Sequence, residues 1–399
     1  MAAETMKMPS TVRRPVDIGL LGAVLLLVMI GLWMVFDTSY AKALDDPSVK
    51  GNAWYFVQRQ ASVGALGGSV ALLIAWFKGY WSFQKWAIGG MVVGIVLLAL
   101  VYVPGIGLRL NNASRWIRLG PSMFVFQPSE LAKLLLIFYL ARIFSRKKIQ
   151  EMANFSEGIF PALMIVVVYA LLIEREPDLG TCVVLLATSL TMLFMAGMKK
   201  RHLLGILAVL SVAVVIFIMG FSHRGNRMKV FLNPDAYGSG IGYQVSHARL
   251  AVGSGGWFGT GLGQGKEKYY LPQRDTDFIF ATLAEETGFV GCMVVMSLLA
   301  FVGLRGWVIA RQTQDPFARL VAIGISSTIL WQALINIAVA TASIPATGIP
   351  LPFISYGSSS LLILMASIGI LLSIAQFPLP PQELVAEAPK RKALKARRN

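Results

Sequence analysis

Apolar runs close to the roughly 20 residues needed to cross a bilayer recur from one end of this chain to the other, and nothing else in the sequence limits the fold as strongly. Ten of them fall at about 16–36, 61–77, 84–103, 128–144, 158–173, 179–197, 203–221, 278–301, 319–342 and 358–376. What lies between them is too short to build a soluble domain of core-forming size. Of 399 residues, 56% are hydrophobic and only 14% charged, whereas soluble domains carry about a quarter charged residues. The expected fold is therefore all-α: a polytopic integral membrane protein with ten transmembrane helices. The first run is long and has no small-residue cleavage site behind a short core, so it is expected to stay as the first span. Cys182 and Cys292 fall inside spans without ligand spacing and read as apolar packing residues.

The net charge of +16 is distributed in a way that argues against nucleic acid. Basic residues gather in alternate loops, at Arg13 and Arg14, Lys78 and Lys85, Arg142 to Lys148, Lys199 to Arg201, Arg305 and Arg311, and in the tail "KRKALKARRN". This is the positive-inside pattern. It places both termini in the cytoplasm and requires an even number of spans. The expected organisation is a cytoplasmic segment 1–15, a membrane domain 16–377 and a basic cytoplasmic tail 378–399. One large extracytoplasmic loop, about 222–277, joins the seventh and eighth spans. Anionic lipid is a second reason for the charge of the tail. Within the long loop, "VSHARLAVGSGG" has a helical apolar pattern.

Spans that run inward begin at the outer surface, and each begins with a polar signature: "FVQRQ", "FQPSELAK", "EREPDLG", "RDTDF" and "PFISYGSSS". Five helix N-termini thus present unpaired N–H groups and partial positive charge to one outer region, which favours anions and phosphates. Arg59, Arg115, Arg118 and Lys266 add cations on the side that the charge rule would keep poor in them. Each signature also has a structural reading. Gln127, Pro128, Ser129 and Glu130 make a good helix start, with Lys133 spaced to pair with Glu130. Asp178 after Pro177 is another helix start, and Trp116 is an interfacial anchor. Ser355, Tyr356, Gly357 and Ser359 form either a small-residue packing face or a close backbone approach to a ligand.

The carboxylates of "YLPQRDTDFIFATLAEETGFVG" are harder to absorb into structure. Glu285 stands eight residues beyond Asp277, about 12 Å deeper along a helix. A charge at the centre of a span costs roughly 2.5–3.5 kcal/mol, so Glu285 and Glu286 are expected to be paired, with Lys133 or Arg59, or to be functional. Asp277 sits at the water boundary beside a cationic loop, where a general base for a hydroxyl belongs.

With "SRWIRLG", "FQPSELAK", "EPDLG" and "PLPFISYGSSSL", these residues resemble the SEDS family (shape, elongation, division and sporulation) over about 16–374. The resemblance implies a ten-span fold and a peptidoglycan glycosyltransferase that polymerises lipid II on a polyprenyl-linked glycan. It also implies a class B penicillin-binding transpeptidase partner, other divisome or elongasome proteins, and the cytoplasmic (inner) membrane of a bacterium. The essential aspartate of the family's "TDF" motif falls on Asp277. The tail and "PATGIPLPFISYG" look more like the division-type members. Two positions depart from the pattern: Asp275 replaces the usual His, and Ser358 a usual Gly. Asp275 beside Asp277 is expected to raise the pKa of one of the pair or to join it in holding a divalent cation, Mg2+ or Mn2+. A lipid II flippase or transporter is the alternative from another class and needs ionisable groups reaching the inner side. A division scaffold without chemistry leaves the Asp277 constellation unexplained.

Overall fold

The computed structural model describes residues 14–45, 51–110, 113–119, 124–220, 231, 241–271 and 273–377. Its long helices are α1 (Ile18–Asp45), α2 (Tyr55–Lys78), α3 (Tyr80–Leu100), α4 (Pro128–Phe144), α5 (Phe155–Arg175), α6 (Leu179–Met195), α7 (Lys200–Gly220), α8 (Ile241–Ser254), α9 (Ile279–Gln312), α10 (Pro316–Ala340) and α11 (Ser358–Gln376). Every apolar run read from the sequence coincides with one of them. Seven are long and apolar enough to cross a membrane, namely α1, α2, α3, α5, α9, α10 and α11, and α6 is a shorter apolar helix. Helices are the expected form, because in hydrocarbon a backbone must satisfy its own hydrogen bonds. The helix α8, which matches none of these runs, covers the helical pattern seen in the long loop. The first part of that loop, with Arg224, Arg227 and Lys229, lies outside the described residues, as do most of segment 1–15 and the tail 378–399.

The core is built around α10 and α11. In their apolar stretches 72% and 78% of residues are buried, against 17% in α3, which therefore forms the rim. α1 meets the segment before α11 closely enough that a Cβ on Gly31 would overlap the Phe353 carbonyl oxygen.

Two features depart from the all-α, continuous-span expectation. Between α3 and α4 the chain forms a three-stranded antiparallel sheet of β1 (Gly107–Leu110), β2 (Ala113–Leu119) and β3 (Phe124–Phe126), in the order β1-β2-β3. Strand alternation puts Arg115 on the same face as the buried Ile117 and places Trp116 and the exposed Arg118 on the other. The second departure is in α9, which breaks at Gly288 with φ 66° and ψ −164°. In an unbroken helix Phe289 and Val290 would donate to the carbonyls of Glu285 and Glu286. Here Thr260 and Gly261 donate to those carbonyls at 2.9 and 3.1 Å, while Phe289 and Val290 donate to Gly256 and Trp257 at 2.9 and 3.1 Å. A glycine-rich loop has been threaded into the helix, and it satisfies all four backbone groups that the two lost helical bonds leave open.

Candidate active site

The five polar helix starts meet. Gln60 of α2 donates to the Ser355 carbonyl at 3.2 Å and accepts from Gly357 N–H at 3.2 Å. A wide π-type stretch, Gln60–Leu66, begins at this residue, and such stretches recur at functional sites. Ser360 of α11 donates to Glu130 of α4 at 3.0 Å, and Ser359 to the Val125 carbonyl at 3.0 Å. Gln127 reaches Asp178 at 3.4 Å, which ties α4 to α6. Tyr356 N–H donates to the Asp275 carbonyl at 2.8 Å, and the Ser355 hydroxyl to the Thr276 carbonyl at 2.6 Å. The stretch before α11 is thus stitched to the turn before α9.

At the centre of this junction Asp277 is half-buried, two residues ahead of α9. Asn336 of α10 holds its carbonyl at 3.0 Å and that of Ile349 at 2.6 Å. Gly348, at φ 79°, keeps the space over the carboxylate open. A Cβ at Gly348 would stand 3.7 Å from Asp277 Oδ2 and 3.8 Å from Arg115 Nη1. The carboxylate and the guanidinium therefore flank one small gap.

Asp275 does not share that position. It is 2% exposed and its Oδ2 takes the Lys42 ammonium at 2.9 Å, which gives it a structural partner from α1. Among the described residues no group of three or more His, Cys, Asp or Glu side chains could hold a metal ion. The donors present do not by themselves fit the divalent cation expected between Asp275 and Asp277.

Several residues expected at the substrate are committed to the frame instead. Asp178 caps α6, accepting from Thr181 N–H at 3.1 Å and from its hydroxyl at 3.0 Å. Glu130 and Lys133 form a buried pair at 2.9 Å, and Lys133 also reaches Gln332 at 3.4 Å. Glu285 and Glu286 consequently do not pair with Lys133. Glu285 accepts from Lys266 N–H at 2.6 Å and Glu267 N–H at 3.2 Å, and Glu286 from Gly263 and Gly265 N–H at 3.0 and 3.2 Å. Both carboxylates hold the threaded loop by its backbone. The Lys268 ammonium completes the clamp, 2.7 Å from Glu286 and 2.6 Å from Asp37 of α1. Burial pushes the Lys268 pKa down, but the hydrogen bonds that its ammonium donates to Asp37 and Glu286 outweigh it and carry the pKa up.

Arg115 was expected as an uncommitted surface cation. Its Nε donates to the Glu176 carbonyl at 3.0 Å and its Nη2 to the Pro177 carbonyl, so it also fastens β2 to the α5–α6 turn. The Glu176 side chain beneath that turn is fully buried, and neither carboxylate oxygen has a partner among the described residues. Burial, reinforced by Asp178 and opposed by Arg115, pushes its pKa up to about 9. Arg59 hydrogen-bonds Tyr356, whose phenol burial pushes up to about 12. Lys266 is exposed and anchored only through its backbone, while Trp116 is half-buried.

Sequence reasoning missed Gln60, Asn336, Gly348, Glu176, Lys42 and Lys268. Asn336 had a readable signal as an amide inside an otherwise apolar run. The partnerships of Lys42 and Lys268 had none.

A family model described as cell cycle protein, covering FtsW, RodA and SpoVE, matches residues 19–378. The chain belongs to the FtsW/RodA/SpoVE family. It is 38% identical over 360 residues to a probable peptidoglycan glycosyltransferase FtsW of Trichlorobacter lovleyi, covering 90% of this chain and 93% of that protein. It is also 38% identical over 365 residues to stage V sporulation protein E of Bacillus subtilis, covering 90% and 97%. Among solved structures it resembles a chain from a peptidoglycan synthase complex described as coordinating polymerization and crosslinking, with TM-score 0.74, 29% identity, and 90% and 97% coverage. The rod shape determining protein RodA of Thermus thermophilus gives TM-score 0.65 at 29% identity, with 90% and 96% coverage.

Proposed function

We propose that this chain is a peptidoglycan glycosyltransferase of the division type, polymerising lipid II at the outer face of the cytoplasmic membrane of a bacterium. In this reading the seven long apolar helices, together with α4, α6 and α7, make ten spans with both termini inside. A class B penicillin-binding transpeptidase is the partner that would crosslink its product. Relatives named as peptidoglycan glycosyltransferases support the reaction class. The observation that carries the site assignment is the half-buried Asp277 facing Arg115 across the gap at Gly348.

In this reading the Asp277 carboxylate accepts the proton of a sugar hydroxyl on incoming lipid II. That oxygen bonds to the anomeric carbon of the growing glycan. The anomeric C–O bond to the lipid diphosphate breaks, and the diphosphate leaves with the electron pair. Arg115 stabilises the negative charge on the leaving group, with Arg59 and Arg118 as further cations of the outer face. Asp275, occupied by Lys42, keeps the turn before α9 in place, and Glu285 and Glu286 keep the roof over it.

The test is glycan polymerisation from lipid II by the purified protein, with and without its transpeptidase partner, for the parent and Asp277→Asn. The variant keeps the side-chain shape and should melt like the parent while forming no polymer. Polymer at the parental level from Asp277→Asn removes Asp277 as the base. Lipid II translocation without polymerisation by the parent would favour the transporter.

A further inference from the structure

At the end of the bundle remote from Asp277, α5, α6 and α7 do not close on one another. The cavity between them measures about 430 Å³, within the roughly 300–1,000 Å³ typical of ligand sites. It lies along the half of α6 away from Asp178, against Leu186 and Leu190, and along the first halves of α5 and α7. Its inner wall is apolar and buried, with Val166 at 1% exposure and Ile206 at 9%. Val167 and Val209 also line it, yet are 38% and 69% exposed, so the cavity opens sideways onto the surface that faces lipid.

One end is of different chemistry. Arg201 and His202, at the start of α7, complete the lining, and Lys199 and Lys200 directly precede them. His202 sits over Phe155 and reaches the Ala153 carbonyl at 3.3 Å. Among the described residues, the exposed Arg201 guanidinium has no ion pair or hydrogen bond. An apolar slot with an uncompensated cation at its mouth calls for an occupant that is apolar along its length and anionic at one end. A partner helix fits poorly, because at about 10 Å across a single turn would fill this volume.

We propose that this cavity binds one acyl chain of an anionic glycerophospholipid of the inner leaflet, with the lipid phosphate at Arg201. The basic loop Lys199 to Arg201 is where an anionic headgroup is attracted most strongly, and basic pockets between helices on that side are suited to such lipids. The site is separate from the glycan chemistry, and binding does not depend on how that chemistry is assigned.

The experiment uses the full chain purified in neutral detergent, mixed with phosphatidylglycerol or phosphatidylcholine and examined by native mass spectrometry for retained lipid. Phosphatidylglycerol should be retained preferentially. Arg201→Gln should lower that retention about fivefold, the factor equivalent to about 1 kcal/mol for one basic residue. Gly205→Leu should lower retention of both lipids, since a Cβ at Gly205 meets nothing within 4 Å and the new side chain grows into open space without displacing backbone. Both variants should melt within a degree or two of the parent and keep its polymerisation activity in detergent. Equal retention of the two lipids by the parent, or unchanged retention in both variants, overturns the proposal. So does displacement of phosphatidylglycerol by an equimolar prenyl phosphate, which would assign the slot to a substrate-type lipid. A change of oligomeric state in Gly205→Leu without loss of lipid would assign it to a second copy of the chain.

Discussion

Replacing Lys268 by methionine keeps the apolar stem and deletes the ammonium that joins α1, the threaded loop and α9. The side chains of Lys268, Asp37 and Glu286 are 4%, 9% and 0% exposed, so water cannot substitute for the lost cation. Glu286 retains two backbone donors, Gly263 and Gly265. Asp37 keeps none among the described residues, since its Oδ1 bonds Lys268 and its Oδ2 lacks a partner there. Removing one member of a buried ion pair costs about 3–5 kcal/mol. The lower end, about 3 kcal/mol, is expected here because Glu286 stays bonded and Asp37 can take up a proton. At about 2–4 °C per kcal/mol, the melting midpoint in detergent should fall by roughly 6–12 °C, with new protease cutting between Trp257 and Tyr269. Adding Asp37→Asn should recover a substantial part of the loss, because the stranded charge goes with it. The raised Lys268 pKa means that this stabilisation is complete below the unfolded value of 10.5 and is lost only as pH rises through the higher folded value. A shift under about 2 °C with an uncut loop, or no recovery in the double variant, refutes the clamp.

Glu176→Gln should stabilise the protein at neutral pH. The folded pKa of about 9 lies above the ordinary 4.5, so the parent is fully stable in this respect below pH 4.5 and loses stability as pH rises towards 9. The difference amounts to about 3 kcal/mol at pH 7, and melts of parent and variant at several pH values should diverge upward from pH 4.5. Parallel curves would show that Glu176 ionises normally. Gly288→Ala places a Cβ at φ 66° against the Gly259 amide. Strain of about 1–3 kcal/mol should release the glycine-rich loop, seen as faster amide exchange at Thr260 and Gly261, and unchanged exchange would show that the break in α9 tolerates a side chain.

Local pattern carried a good deal of the architecture. The apolar runs gave the positions of the helices, because a run of that length without charge admits little else in a membrane protein. Their polar starts gave the face on which a site would form, and the "RDTDF" turn singled out Asp277, because each of these depends only on residues close together in the chain. The sheet of β1 to β3 was hidden because its segments are three to seven residues long, too short for alternation to stand out between two spans. The roles of the other charges depend on distant partners. Lys42 and Asp275 are 233 positions apart, Lys268 and Asp37 231, and Arg115 and Glu176 61. No periodicity links such pairs. The sequence by itself determined that this chain is a helical membrane protein, and it singled out the polar helix starts and Asp277 as the proposed site. Only the tertiary structure decided which acids are consumed by the frame, since a carboxylate's role is set by which donors reach it, and those donors are brought by folding from the far ends of the chain.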